Sequence, residues 1–108
     1  MTISHVLGSM RFMAVFVQLD TCYAVGFDTL TDATDFLFWG YEEQNFVPCG
    51  TFDMLTGEVA SYEHRGRDVG LYDPDLIRQT ATDYVRAALR LAGGRPTPYP
   101  GKPPGLVL

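Results

Sequence analysis

The sequence predicts an α+β domain with the element order ββαββα, in which one antiparallel sheet of about four strands carries two helices on one face or shared between both. Apolar residues alternate in two early segments, as in strands, and recur at helical spacing in a later one. Gly, Pro and Asp residues between these segments predict turns. The chain has 108 residues, of which 46% are hydrophobic and 13% aromatic. This is enough for one folded domain with a modest core.

The first two strands are predicted at residues 11–19 and 22–27, joined by a polar turn at Asp20-Thr21. Both faces of the first strand are apolar, which is typical of a central strand covered on both sides. One face of the second strand carries only the small residues Cys22, Ala24 and Gly26. We expect a helix to approach closely on that face.

The aromatic segment 36–41, with the sequence FLFWGY, follows the helix-start signal Thr31-Asp32. We expect a helix that runs to about Gln44. A third strand is the alternative, because Phe, Trp and Tyr also favour strands. In a helix the apolar groups of this segment would cover every side, whereas a surface helix needs only one apolar face. The surplus predicts a contact with a second layer or with a partner.

A hairpin is predicted from residues 46–52 and 58–64, with a turn at 53–57 between them. The aspartate that opens this turn can accept hydrogen bonds from turn amides, and its final glycine can adopt a left-handed conformation. Pro48 cannot donate a backbone hydrogen bond, so the first of these strands should lie at an edge or begin irregularly. Residues 64–70 are predicted to form a polar loop.

The last helix is predicted to begin at Asp73, which caps it, with Pro74 in the first turn. Its apolar residues recur at helical spacing, and Gly93-Gly94 ends it. Residues 11–94 therefore form the predicted single domain. Residues 95–108 are rich in Pro and Gly and are predicted to be a disordered tail. Residues 1–10 are interpreted as an N-terminal extension or the remnant of a tag.

Composition excludes several classes of function. The net charge of −5 argues against nucleic-acid binding, which needs clustered cations. The longest apolar run, residues 12–17, is far shorter than the roughly 18 residues that a membrane span needs. The N-terminal residues do not resemble a secretory signal. We therefore expect a cytoplasmic protein without membrane attachment, whose two cysteines are reduced thiols.

The leading functional hypothesis is a small regulatory or protein-interaction domain without enzymatic activity. Its binding surface would be an aromatic patch formed by Phe38, Trp39 and Tyr41, since Trp and Tyr are preferred at interfaces. The simplest partner is a second copy, which would make the protein a homodimer. Small accessory proteins of mobile elements fit this description. No cofactor is expected.

Two other classes of function stay open. A small enzyme for acyl transfer or thiol redox chemistry would use Cys49 and His64, because a neighbouring His can activate a thiol. Its simpler explanation is a buried Cys and an unrelated His at the end of a strand. A small-molecule binder would have an aromatic pocket between the sheet and a helix.

The remaining polar residues have simple structural explanations. Glu63, His64, Asp68 and Asp73 lack the spacing of a metal site, so no metal is predicted. Three acidic residues at the start of the first helix, Asp28, Asp32 and Asp35, suit its positive end. Arg65 and Arg67 flank Gly66 in a predicted flexible loop and are candidates for binding an anion or an acidic partner. A solvated surface is the simpler explanation for both arginines.

Overall fold

A computed structural model describes residues 11–92 of the protein. The elements are β1 (Phe12–Gln18), β2 (Thr21–Phe27), α1 (Leu30–Glu43), β3 (Val47–Asp53), β4 (Val59–Ala60), β5 (Glu63–His64), β6 (Arg67–Asp68) and α2 (Pro74–Ala92). The first four strands form an antiparallel sheet in the order β2-β1-β3-β4, and β5 pairs with β6 in a separate hairpin. The predicted α+β class is confirmed. The predictions for residues 1–10 and 95–108 lie outside the described residues.

Strand β1 lies inside the sheet and separates two apolar layers. Met13 and Val15 belong to the core cluster that contains α2, whereas Ala14 and Phe16 belong to the cluster that contains α1. All four side chains are buried, as the two apolar faces of this strand predicted. Each helix therefore covers one face of the sheet, because the strand period of two sends neighbouring side chains into opposite layers.

Helix α2 packs on the face that carries the small residues of β2. Asp73 caps the helix, since its carboxylate accepts a hydrogen bond from the Leu76 amide at 3.1 Å. Ile77 and Ala81 are fully buried against the sheet. Thr80 reaches β2 directly, and its hydroxyl donates to the Cys22 sulfur at 3.2 Å. The predicted cap and the predicted close approach of a helix are both confirmed.

The aromatic segment is helical, as predicted, but α1 begins slightly earlier than expected. Thr29 is the N-cap, and its hydroxyl accepts a hydrogen bond from the Asp32 amide at 3.1 Å. At the other end, the chain turns back over the helix, and the Phe46 amide donates to the Gly40 carbonyl at 3.0 Å. A Cβ on Gly40 would lie 1.9 Å from Phe46 Cδ2, so only glycine permits this packing.

A β-bulge shapes strand β3. Val15 pairs with Gly50 and Phe16 with Pro48, so Cys49 is the extra residue between them. Cys49 joins the core cluster beside α2, and Gly50 also faces this helix, where a Cβ would lie 3.0 Å from Ile77 Cδ1. Two successive residues of β3 thus face the same layer. Of the two outcomes that Pro48 predicted, the irregular start is present, whereas the edge position is wrong, since β3 lies between β1 and β4.

Residues 58–70 differ from the prediction of one long strand followed by a loop. Strand β4 pairs only with Thr51 and Phe52, after which the chain leaves the sheet and forms the β5–β6 hairpin. The turn of this hairpin is Arg65-Gly66, and φ is 53° at Arg65 and 80° at Gly66. The predicted flexible loop around these residues is therefore an ordered two-residue turn. The physical reason is tertiary, since Tyr62 and His64 are buried away from the edge of the sheet.

The β1–β2 turn offers a test of stored backbone strain. Leu19 and Asp20 have φ values of 52° and 64°, a combination that favours Asn-Gly over any bulky residue. Leu19 is also 91% exposed. We expect the double replacement Leu19→Asn and Asp20→Gly to stabilise the fold by about 1 kcal/mol, because left-handed backbone is costly for ordinary residues. Urea unfolding measures the change, and an unaltered midpoint would show that the turn stores no strain.

Candidate functional site

The three aromatic residues proposed for binding are partly exposed on α1. Phe38, Trp39 and Tyr41 expose 38%, 43% and 39% of their surface, while Leu37 and Gly40 of the same helix are buried. One face of the helix therefore fills the core, and the surplus rings occupy its outer side. This matches the excess of apolar residues seen in the sequence.

The three rings lie on two different flanks of α1. The rings of Phe38 and Tyr41 both lie with their centroids 4.5 Å from that of His64. Trp39 instead contacts Phe36, at 5.7 Å, and Phe46. Successive residues of an α-helix point 100° apart, so Phe38 and Trp39 lie on different sides of α1 with polar positions between them. The proposed patch is thus a pair of rings and a separate Trp on one helix.

His64 is the centre of the most organised polar group in the described residues. It is only 6% exposed, and both of its ring nitrogens have partners. Nδ1 lies 2.8 Å from the Tyr62 hydroxyl, and Nε2 lies 2.6 Å from a carboxylate oxygen of Glu42. The contacts are satisfied when Tyr62 donates to Nδ1 and Nε2 donates to Glu42. We call this group, together with the residues that surround it, the histidine cluster: Phe38, Tyr41, Glu42, Tyr62, His64 and Arg65.

Arg65 completes the histidine cluster on its exposed side. Its Nε lies 3.7 Å from Glu42, and its guanidinium carbon lies 5.3 Å from the centre of the Phe38 ring. The hydrogen bond from His64 and the positive charge of Arg65 lower the pKa of the Glu42 carboxyl. The cluster therefore presents a carboxylate and a guanidinium side by side next to two aromatic rings.

The phenol of Tyr62 is a poor nucleophile in this setting. Burial, followed by the nearby charge of Glu42, raises its pKa, and its hydroxyl is hydrogen-bonded to His64. Anchoring is the role that this geometry supports best. The hydrogen bond between His64 and Glu42 ties the β5–β6 hairpin to the last turn of α1, whereas the one with Tyr62 lies within the segment that leads into the hairpin.

The structure does not bring Cys49 and His64 together. Cys49 lies in the core layer of α2, whereas His64 contacts Phe38 and Tyr41 in the layer of α1. The bulge turns Cys49 toward α2, and the departure of the chain from β4 carries His64 to the opposite side of the sheet. The described residues therefore do not place Cys49 and His64 in the geometry of a Cys-His catalytic pair.

Two depressions lie at the ends of the histidine cluster. One of about 450 Å³ is lined by Tyr41, Glu42, Asn45 and Phe46. The other, of about 220 Å³, is lined by Ser61, Tyr62, Asp68, Val69, Gly70 and Tyr72. Between the sheet and α1, where an aromatic pocket was considered, the Phe16 and Phe46 rings stack with their centroids 4.0 Å apart.

The other candidate residues are dispersed. Arg67 is exposed and lies opposite His64 in the register of the β5–β6 hairpin. Glu63 lies opposite Asp68 in the same register. Asp73 caps α2. Within residues 11–92, no three His, Cys, Asp or Glu side chains converge as metal ligands would. Neither helix of the described region combines the length and apolarity that crossing a membrane requires.

Two members of the histidine cluster were missed in the sequence. Tyr62 lies two positions before His64, so strand alternation could have placed both on one face. Glu42 lies four positions after Phe38, which puts it on the same side of α1. Neither pattern predicts that the two elements meet, since this depends on the path of the chain after β4.

Comparison of the chain with protein-family models, with curated proteins and with solved structures found no match.

Proposed function

We propose that this chain is a non-enzymatic protein-interaction domain that associates with a second copy of itself through α1. The single observation that carries the proposal is the partial exposure of Phe38, Trp39 and Tyr41, three large rings on one short helix. Aromatic rings of this kind dominate the binding energy of protein interfaces. A location in the reducing cytoplasm is part of the proposal, and the free thiols of Cys22 and Cys49 support it.

The rings are held in place before any partner arrives. Phe38 and Tyr41 pack against the buried His64, and Trp39 packs against Phe36 and Phe46. A fixed ring loses little side-chain entropy on binding, so more of its burial energy contributes to affinity. This preorganisation distinguishes the surface of α1 from isolated exposed residues such as Leu55 in the β3–β4 turn.

A second copy is the partner that the charges favour. A twofold interface joins the same surface of two molecules, so that surface has to complement itself. Glu42 and Arg65 place opposite charges beside the rings, at 3.7 Å from one another. Across a twofold axis, Glu42 of one molecule can face Arg65 of the other. A surface that carried charges of one sign would instead repel its copy. The net charge of the whole chain, −5, opposes the approach of two copies, and such local balance reduces that repulsion at the interface.

Size-exclusion chromatography with light scattering tests this proposal. We expect a dimer that becomes a monomer in Trp39→Glu and in Phe38→Glu, with unchanged circular dichroism, because a buried unpaired carboxylate opposes association. Leu55→Glu is the matched control, since Leu55 is 74% exposed and lies in the β3–β4 turn rather than on α1. It should stay dimeric. A wild-type monomer at all concentrations, or a dimer that survives both substitutions on α1, would refute the proposal.

A further inference from the structure

The two edges of the four-stranded sheet differ in length and regularity. Among the described residues, β2 lies at one edge and β4 at the other. Strand β4 has two residues, after which the chain leaves the sheet. Strand β2 has seven residues, and all of them pair with β1 in an unbroken register. Edge strands are commonly protected by Pro, Lys, a bulge or short length, and β2 has none of these features.

The β1–β2 turn determines which backbone groups of β2 point away from the sheet. This turn has two residues, between the paired residues Gln18 and Thr21. Turns of this kind close on a hydrogen-bonded pair, and such pairs alternate with non-hydrogen-bonded pairs along an antiparallel ladder. The N–H and C=O groups of every second residue of β2 therefore point away from β1, namely those of Cys22, Ala24 and Gly26. A further strand could pair with all of them.

The side chains of β2 differ between the two faces of the sheet. On the α2 face, Cys22, Ala24 and Gly26 are small and leave room for a neighbouring strand. On the α1 face, Tyr23 and Phe27 are half-buried and pack on the core cluster of α1. An added strand would cover the remaining exposed surface of these two rings. Aromatic residues pair favourably with β-branched residues across strands, so the added strand should carry β-branched residues on the α1 face.

The charges at the two ends of β2 oppose pairing with a second copy. In the register that joins all seven residues of two β2 strands antiparallel, Ala24 lies opposite itself. Asp20 then lies opposite Asp28 of the second copy, and Asp28 lies opposite its Asp20. Both aspartates are exposed, and like charges directly opposite destabilise a strand pair. A strand with a cation at each end would turn both repulsive contacts into attractive ones.

We propose that β2 is a docking site for an extended segment of a different protein, which adds to the sheet as a fifth, antiparallel strand. The segment is β-branched and apolar at alternate positions and carries Lys or Arg at both ends, beside Asp20 and Asp28. Backbone hydrogen bonds along β2 provide affinity, and the end charges set the register and select the partner. This site is separate from the surface of α1 that is proposed for dimerisation, so each subunit of the dimer can bind one segment.

Amide hydrogen exchange measured by NMR tests the docking geometry. The probe is a synthetic peptide as long as the segment 20–28, with lysine at both ends and alternating valine and threonine between them, beginning and ending with valine. We expect the peptide to slow exchange at Cys22, Ala24 and Gly26, whereas the intervening amides, which already bond to β1, should change little. Unchanged exchange at these three amides would overturn the proposal. Protection that rises with protein concentration in the absence of peptide would overturn it as well, because a second copy would then occupy the edge.

N-methylation of the peptide separates backbone pairing from side-chain contacts. A methyl group on the central nitrogen, opposite Ala24, removes a donor and adds bulk toward β2, so it should weaken binding roughly tenfold. A methyl group on the next nitrogen points away from β2 and is the matched control, which should bind like the unmodified peptide. Fluorescence anisotropy of labelled peptides measures the three affinities. Equal affinities of the two methylated peptides would contradict strand addition.

The end charges are tested by the neutral variants Asp20→Asn and Asp28→Asn. Each should weaken binding of the lysine-ended peptide about two- to fivefold at low salt. Glu58→Gln is the matched control, since it changes the net charge equally beside β4, at the opposite edge, and should bind like the wild type. The wild type should prefer the lysine-ended peptide roughly tenfold over a peptide with the same centre and glutamate at both ends. Equal affinity for these two peptides would refute the proposed partner chemistry.

The variant Phe38→Glu separates this proposal from the proposed dimer. It carries its substitution on α1 and is expected to be monomeric, yet it should bind the lysine-ended peptide like the wild type. Failure of the dimer proposal would therefore leave the peptide affinity unchanged. Loss of peptide binding in this variant, with the fold intact by circular dichroism, would contradict a site on β2 that is independent of α1.

Discussion

Replacing His64 with alanine is expected to destabilise the fold by about 3 kcal/mol, because it empties a buried site and leaves a buried hydroxyl without its partner. The side chain is 6% exposed and packs between Phe38 and Tyr41. Without it, the Tyr62 hydroxyl loses its hydrogen bond in a buried position. The contact with Glu42 adds less, since that carboxylate is 38% exposed.

Urea unfolding and amide hydrogen exchange measure this effect together. Tyr62→Phe is the matched control, since it removes only the hydroxyl and should cost about 1 kcal/mol. If the β5–β6 hairpin detaches locally in His64→Ala, exchange should accelerate at residues 63–68 before the rest of the sheet. A loss below 1 kcal/mol, with exchange unchanged, would show that His64 does not anchor the hairpin.

Gly70→Ala is expected to be the most disruptive single-methyl change outside the helices, at about 3–4 kcal/mol. Gly70 has φ of 84°, and a Cβ there would lie 2.0 Å from the Pro48 carbonyl oxygen. That oxygen accepts a hydrogen bond from the Leu71 amide at 3.0 Å, so it cannot move away without loss. The segment before α2 would have to lift from β3.

Gly57 supplies the control for the backbone contribution. Its φ is 79°, close to that of Gly70, but a Cβ there meets nothing within 4 Å. Gly57→Ala should therefore cost only the conformational penalty of about 1 kcal/mol. The difference between the two variants in urea unfolding isolates the steric clash with Pro48. Equal losses would mean that the segment adjusts freely and that the close approach to β3 is not needed for stability.

The elements whose signals are local were predictable from the sequence. Asp73 before Pro74 marks the start of α2, and the turn after β3 follows from Asp53 and Gly57. The predicted hydrogen bond of Asp53 is present, from the Leu55 amide at 2.9 Å. The two apolar faces of β1 correctly indicated a central strand. In each case, the residues that determine the element are close to one another in the sequence, so the local pattern and the fold agree.

The histidine cluster and the position of Cys49 depend on contacts between distant segments, which no local pattern contains. Glu42 and His64 meet only because the chain leaves the sheet after Ala60. Cys49 joins the core layer of α2 only because a bulge shifts the register of β3 by one residue. Such a shift turns a side chain to the other face, so a regular strand would have predicted a different partner. Four residues of the histidine cluster were therefore recognised individually from the sequence, whereas Glu42, Tyr62 and the grouping itself were not.

The position of α2 at the end of the fold has a consequence for synthesis of the chain. Met13, Val15 and Ala24 leave the ribosome early, yet the helix that covers them is made last among the described elements. A nascent or truncated chain that ends before residue 74 would expose this apolar face, and such surfaces promote aggregation during folding. Completion of the core is thus coupled to synthesis of α2, and a ribosome paused within α2 would hold a chain whose sheet is covered on one side alone.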